Sequence, residues 1–379
     1  MSLMEDWLTF LSGLLVGLCA VPLLPFVMGL LKRFAGGQGG NEAYADLDVQ
    51  VLNTLPPKTE WMNMGWWTGD DEGADPFDQC DKVRPLAETR PLKSLPEACE
   101  ALALKLYSAC GLTEGAAILD IGHGPGESVL LLKSRFQPQR LDGATLSLRD
   151  AQRAQGKLAS AAKGGEGGTE VQIKAADGAA FLKECNPATY DYIFALDCAY
   201  HFSSHSRKDF FTAAHRALKP GGKLGLFDMF LATPYPAKKK EAKGSRGEEW
   251  FKATSAELPC PTRAALTWPQ ELKLRLFCLL TSTPRRNLLP FSSYFSTLCS
   301  AGFSSQDISI MDVSSHVFPG FARFLRDFAE GDEWRAGAGG WNMRKALGSF
   351  AGFVEGWARG GDEGLLRGGL VVVTKAKQL

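Results

Sequence analysis

The chain has 379 residues, 45% of them hydrophobic, enough for one large domain with elaborations or for two small ones. Lys+Arg and Asp+Glu both number 42, so the charge balance gives no sign of the basic face that nucleic-acid binding favours. Nine cysteines with no Cys-x-x-Cys spacing read as buried reduced thiols, and no metal site is expected.

From its start the chain reads as follows. Leu8 to Leu31 contains no charged residue. As a helix it would extend about 36 Å, enough to cross a bilayer. Pro22 and Pro25 would kink it, which membrane helices tolerate. A cleavable signal is the alternative, but Met1 to Asp6 carries two acids and no base. Lys32 and Arg33 follow the apolar run, which places the remainder of the chain in the cytosol by the positive-inside rule. Residues 34–60 are rich in Gly and Pro and read as a linker. Trp61-Met62-Asn63-Met64-Gly65-Trp66-Trp67 then forms either a lid or a packed cap. Residues 97–112 carry apolar side chains at helical spacing.

Ala117 to Ser128 organises what comes after. Apolar residues run into Asp120, then into Gly122, Gly124 and Gly126, then into a helical pattern. That is a buried strand, a tight turn and a helix start, the opening unit of an open α/β sheet. Glycines let the backbone pass close to a ligand, and the helix opening offers free N–H groups. A dinucleotide site would have G-x-G-x-x-G and an acid at the end of the second strand. Here the spacing is G-x-G-x-G, and the second strand ends in Thr145-Leu146-Ser147. A helix from Arg149 to Ala162, a strand from Val171 to Ala176 ending at Asp177-Gly178, and a strand from Tyr190 to Asp197 continue the alternation. A helix from Asp209 to Leu218, a turn at Lys219-Pro220-Gly221-Gly222 and a strand from Lys223 to Phe230 complete it, which argues for a parallel sheet.

Residues 231–290 break the rhythm, with a lysine run at Lys238-Lys239-Lys240 and apolar helical patterns around Trp250 and from Leu272 to Leu280. The lysine run reads as a solvated loop, or as a contact with an anionic membrane surface. A helix from Phe291 to Ala301 and a sixth strand from Phe303 to Val313 follow. Within residues 316–366, Phe321, Phe324, Leu325 and Phe328 share a helical face, and Phe350, Phe353 and Trp357 continue the aromatic theme. These aromatics are either core or the wall of a lipophilic pocket. Leu370 to Thr374 closes as a last strand.

Taken together, these motifs resemble class I S-adenosylmethionine-dependent methyltransferases. Ile118 to Ser128 is similar to their motif I. Gly143-Ala144-Thr145-Leu146-Ser147 with Arg153-Ala154 resembles a signature of the tocopherol, sterol and cyclopropane-lipid branch. Leu196 to Phe202 resembles motif IV of small-molecule methyltransferases, including macrolide O-methyltransferases. Leu218 to Gly222, Ala301-Gly302-Phe303 and Trp61 to Trp67 match further elements. The resemblance departs from the family at Leu148 and Asp150, where Pro and Gln are usual, and covers neither 231–290 nor 316–366.

The resemblance implies an α/β fold, a seven-stranded Rossmann-like methyltransferase sheet with helical lid and insertion, and the apolar run from Leu8 to Leu31 adds an N-terminal transmembrane helix before it. The divisions are an anchor (1–33), a linker and aromatic cap (34–96), a cofactor-binding core (97–230), a lid insertion (231–290) and the C-terminal part of the sheet (291–379). It implies S-adenosyl-L-methionine as cofactor. Asp120 would take its ammonium group, and Gly122, Gly124 and Gly126 would let its amino-acid end lie along the backbone. Thr145, Leu146 and Ser147 would lie at the ribose, Asp177 and Gly178 at the adenine, and Asp197 near the methionine moiety. Trp66 or Trp67 would lie against the cation and the substrate. His201 is the candidate base, since a hydroxyl or amine nucleophile must lose a proton, or else a residue that caps the strand end. The expected partners are a small lipophilic substrate and a membrane, with no nucleic acid. A nicotinamide-dependent reductase and a non-catalytic S-adenosylmethionine-binding membrane protein are the competing readings.

Overall fold

The computed structural model describes residues 59–68, 94–162, 169–232, 250–252, 266–331, 341–358 and 364–377. The apolar run from Leu8 to Leu31, most of the linker and the lysine run lie outside the described residues. Among the described residues no helix is long and apolar enough to cross a membrane.

The first helix, α1 (Leu95–Ala109), starts where Glu97 accepts from both the backbone N–H and the hydroxyl of Ser94, with Pro96 in its first turn. Strand β1 (Ala117–Ile121) is buried at every position, as a central parallel strand must be. The alternation continues through α2 (Glu127–Phe136), β2 (Arg140–Thr145), α3 (Leu148–Ala162), β3 (Glu170–Ala175) and α4 (Gly178–Glu184). It then runs through β4 (Tyr190–Leu196), α5 (Ser204–Ala217) and β5 (Leu218–Leu231). The later elements are β6 (Trp250–Lys252), α6 (Trp268–Leu280), α7 (Phe291–Ser300), β7 (Ile308–Asp312), α8 (Ser314–Glu330), α9 (Trp341–Ala358) and β8 (Leu366–Thr374).

The sheet order is β3-β2-β1-β4-β5-β8-β7-β6. Strands β1 to β5 pair in parallel, and β8 enters antiparallel between β5 and β7. The seven expected strands are present, together with a short eighth, β6, that lies antiparallel on β7 at the edge. The apolar pattern around Trp250 therefore belongs to a strand. The turn at Lys219 to Gly222 is a bulge inside β5. Its partner advances from Tyr190 to Tyr192 while β5 advances from Leu218 to Lys223.

Two apolar layers cover the sheet. One holds α1, α2, α3, α8 and α9; the other holds α4, α5 and α7. Because β2 and β4 flank β1 on opposite sides, the chain reverses direction across the sheet there, and the carboxyl ends of β1 and β4 open onto a crevice. A buried ion pair braces that end. Arg207 donates to Asp228 at 2.6 Å and to the backbone oxygen of Asn287, and the Tyr294 hydroxyl donates to the same Asp228 oxygen at 2.9 Å. Asn287 in turn donates to the backbone oxygens of Tyr200 and Phe202. The turn after β4 is thus tied to β5, α5 and α7 through Arg207 and Asp228, whose pairing offsets the cost of so buried a charge, although Arg207 Nε is buried without a partner.

Candidate active site

A cavity of about 760 Å³ opens at the carboxyl ends of β1 to β4 and continues between α6, α8 and α9. Asp120, Gly122, Gly124, Thr145, Leu146, Ser147, Asp177, Gly178, Asp197 and His201 all line it. Its volume is in the range of small-molecule sites.

The glycine turn supplies one wall. Gly122 has φ 73°, and a Cβ there would lie 2.5 Å from the Cys198 sulfur; a Cβ on Gly124 would lie 2.9 Å from the Met62 sulfur. Both glycines keep this wall thin. Gly126 does otherwise. It does not line the cavity, and a Cβ on it would meet that of Ala154 at 2.6 Å. Its role is to seat α2 against α3, which corrects the expectation that it would lie along the ligand.

Asp120 is 1% exposed and accepts from the Ser128 hydroxyl at 2.6 Å. Burial pushes its carboxyl up to about 7, with the Ser128 bond opposing the rise. A cation placed beside such a group would favour its ionised form. His123, in the turn, bonds the Gly124 carbonyl through Nδ1 at 2.8 Å, and burial pushes its pKa down to about 4. It is therefore neutral with its proton on Nδ1, and its buried Nε2 has no partner.

Asp150, singled out in the sequence only as a departure from the family pattern and given no site role, lines the same wall at 3% exposure. Its Oδ1 is buried without a partner and burial raises its pKa, while its backbone N–H donates to Ser147 Oγ at 3.2 Å. The sequence signal was a Ser-x-x-Asp spacing, which reads as a helix start. The strand-end acid that β2 lacks is supplied from the first turn of α3.

Asp177 caps α4. Its Oδ1 accepts from the N–H groups of Ala179 and Ala180, each at 3.0 Å, and its Oδ2 accepts from the Ser206 hydroxyl at 2.7 Å. Asp197, at φ 58° just after β4, accepts from the Tyr200 hydroxyl at 2.7 Å and from the Met64 N–H at 2.8 Å. It anchors the segment that crosses the cleft.

That segment is residues 59–68. Glu60 pairs with Lys157 at 2.7 Å, Asn63 donates to the Cys99 carbonyl at 3.2 Å, and Met62 and Met64 face the cavity with Trp61. At Gly65, φ 75°, the chain turns, closed by the Trp67 indole N–H on the Met64 carbonyl at 2.7 Å. Trp66 and Trp67 consequently face away. Trp66 is 1% exposed, stacks on His316 with centroids 4.1 Å apart, and carries Lys105 Nζ 5.1 Å from its centroid. Trp67 packs on Phe324 at 5.3 Å, over Gly320. Neither lines the cavity, so the expectation of substrate contacts there is corrected: the cation over Trp66 is a lysine of the protein.

The inner lobe is apolar. Phe277 of α6, Phe321 and Leu325 of α8, and Leu347, Phe350 and Trp357 of α9 form its wall. The aromatic faces thus divide: Phe321 and Phe350 face the cavity, whereas Phe318, Phe324 and Phe328 belong to the core and Phe353 packs against it. His201 sits where the lobe meets the glycine-turn wall. Its Nδ1 lies 3.3 Å from the Thr283 hydroxyl, which is 2.8 Å from that of Thr281. Enclosure by protein pushes its pKa down to about 4, with a bond to the Thr281 backbone opposing the fall. It is a neutral imidazole over the physiological range.

Residues 118–222 match the family model described as a methyltransferase domain. The erythromycin 3''-O-methyltransferase of Saccharopolyspora erythraea is 30% identical over 135 residues, covering 36% of this chain and 42% of that protein. The 27-O-demethylrifamycin SV methyltransferase of Amycolatopsis mediterranei is 28% identical over 198 residues, covering 52% and 59%. The chain therefore matches only about half the length of these relatives. A cyclopropane synthase of Mycobacterium tuberculosis shares the fold, with a TM-score of 0.54 at 17% identity over 88% of this chain and 96% of that one. The resemblance to class I S-adenosylmethionine-dependent methyltransferases holds in both sequence and fold.

Proposed function

We propose that the protein transfers a methyl group from S-adenosylmethionine to a small lipophilic acceptor. The observation that carries this reading is one cavity in which a glycine turn with a poised acid meets an aromatic lobe at a neutral histidine. Its polar wall fits the cofactor. Asp120 would take the ammonium group, a cation that would favour its ionised form against the burial that opposes it. The orphaned acceptors Asp150 Oδ1 and His123 Nε2 want donors, as the ribose hydroxyls are. The glycine turn offers backbone to the amino-acid end. The group supplies, when bound, a methyl already activated on a sulfonium.

The protein's own part is alignment and exclusion of water. The 59–68 segment roofs the cleft, Asp197 holds that roof and the Tyr200 turn, and the apolar lobe keeps the acceptor dry. His201 is the group placed to accept the acceptor's proton as the methyl transfers; burial keeps its ring unprotonated at neutral pH and correspondingly weak as a base. The relative named as an O-methyltransferase favours a hydroxyl nucleophile. No observation favours a nicotinamide site. Calorimetric titration with S-adenosylmethionine and NADPH, with labelled-methyl turnover on a lipid extract, tests the reading; NADPH binding alone would reverse it, and cofactor binding without turnover would leave a non-catalytic protein.

Leu8 to Leu31, with Lys32 and Arg33 after it, supports an N-terminal anchor and a cytosolic catalytic domain. Protease treatment of sealed, cytosol-side-out vesicles should digest the large domain; full protection would reverse the orientation.

A further inference from the structure

The charge of the cavity says more about the acceptor than its size does. Four carboxylates line it, from Asp120, Asp150, Asp177 and Asp197. Among the described residues that line it none is Lys or Arg, and both imidazoles, His123 and His201, are held neutral by burial. Burial also raises the carboxyls of Asp120 and Asp150, so the site already opposes negative charge. Among the described residues no group of acids and histidines is arranged to hold a metal ion that would invert this field. The cationic cofactor offsets part of the charge on its own side. The inner lobe, walled by Phe277, Phe321, Leu325 and Trp357, offers an entering anion no replacement for its hydration.

We infer that the acceptor is uncharged: apolar over most of its surface, with a neutral hydroxyl or similar nucleophile presented at His201. Among the described residues the lining holds nothing that would answer the charge of a carboxylate, a phosphate ester or a diphosphate ester. The Tyr200 hydroxyl, committed to Asp197, and the Thr281 hydroxyl, which donates to the Phe277 carbonyl at 2.9 Å, are already engaged and leave an anion no strong donor there. The inference rests on the methyltransferase reading only in calling the ligand of this lobe an acceptor.

The test uses the full chain in lipid nanodiscs at pH 8, titrated with 1-octanol, octanoate and octyl phosphate, with empty discs as reference. Octanol should bind at least tenfold, and on the order of a hundredfold, more tightly than either anion, the scale of like-charge exclusion. Phe321→Ala should weaken octanol several-fold, and Leu325→Lys should bring octanoate up to or above octanol. Either anion binding the parent protein within tenfold of octanol would overturn the inference, as would the absence of octanol binding. Titrating the same preparation with S-adenosylmethionine keeps the two conclusions apart. Loss of cofactor binding would remove the methyltransferase reading while the order of alcohol over anion is read independently.

Discussion

Replacing Asp120 by Asn separates two tasks that its position imposes. Burial lifts its carboxyl from an ordinary 3.8 to about 7 in the ligand-free fold. A folded pKa above the unfolded one means that the protonated acid is compatible with the fold and the ionised one strains it. Stability from this group is intact below the unfolded value and is lost as pH rises through the folded one. The full cost of ionising it is about 4 kcal/mol. Asn has the same shape, can still accept from Ser128, and cannot ionise. The ligand-free variant should therefore melt higher than the parent at pH 8 and alongside it near pH 4. Cofactor affinity should move the other way. A bond to a charged group contributes about 1.5–3 kcal/mol, so dissociation constants should rise by roughly 10- to 150-fold. In the parent, the ionised fraction falls from about one half at pH 7 to about one tenth at pH 6, so affinity should weaken with acid. The Asn variant should lose this part of the slope, leaving what Asp150 contributes. Calorimetry between pH 5.5 and 8 and melting curves over the wider range decide the matter. Unchanged affinity in the variant, or a parent affinity that strengthens with acid, would refute the reasoning.

Three further outcomes follow from the same cavity. Phe321→Ala should raise KM for the acceptor with cofactor affinity unchanged, whereas Phe324→Ala, one turn away in the core, should cost about 3–5 kcal/mol of stability, read by denaturant melts; identical behaviour of the two would remove the division of the α8 face. His201→Ala should lower kcat by roughly 10²–10⁴-fold, and the parent's kcat should hold level through neutrality and fall only as pH approaches 4, where the ring takes a proton; an acid limb near 6.5 in a kcat profile would contradict the buried, neutral imidazole. Gly320→Ala would place a Cβ 2.0 Å from that of Trp67, so hydrogen exchange across residues 61–67 should quicken while that of β1 and β4 holds; unaltered exchange would show that the roof does not depend on this contact.

The parallel half of the sheet was legible because its strands are short segments, apolar in β1 and alternating in β3, that end at turn residues and alternate with helical patterns, and the Asp120-to-Gly126 sequence marks the switch point. That Asp177, Gly178 and Asp197 would reach the cavity was legible for the same reason, since strand ends fix where side chains fall. Trp66 and Trp67 were misread because their direction depends on Gly65, whose positive φ turns the chain after Met64; composition cannot show that. Gly126 looked equivalent to its neighbours in the turn, and only the approach of Ala154 distinguishes it. Asp150 was hidden by a second meaning, a helix-start pattern that its backbone N–H also satisfies. β6 was hidden by brevity, since three residues carry no period and its place is set by pairing with β7. The aromatic faces left core and pocket open because one helix serves both, Phe321 and Phe324 pointing to opposite fates within a turn.

The roof of the cleft has a consequence for how the protein is made. Residues 59–68 leave the ribosome before any strand of the sheet, yet the surfaces that hold Trp66 and Trp67, at His316 and Gly320, come from near the other end of the chain. The glycine turn, β2 and β4 can be assembled while that roof has only part of its seat, at Cys99, Lys157 and Asp197, and Trp66 and Trp67 still lack His316 and Gly320. Full seating of the roof thus waits on a nearly finished polypeptide, and a nascent or prematurely ended chain would carry the glycine turn under a roof held at one side only. Cofactor retention would then act as a check on completeness, distinguishing full-length molecules from fragments that already contain every residue of the family signature.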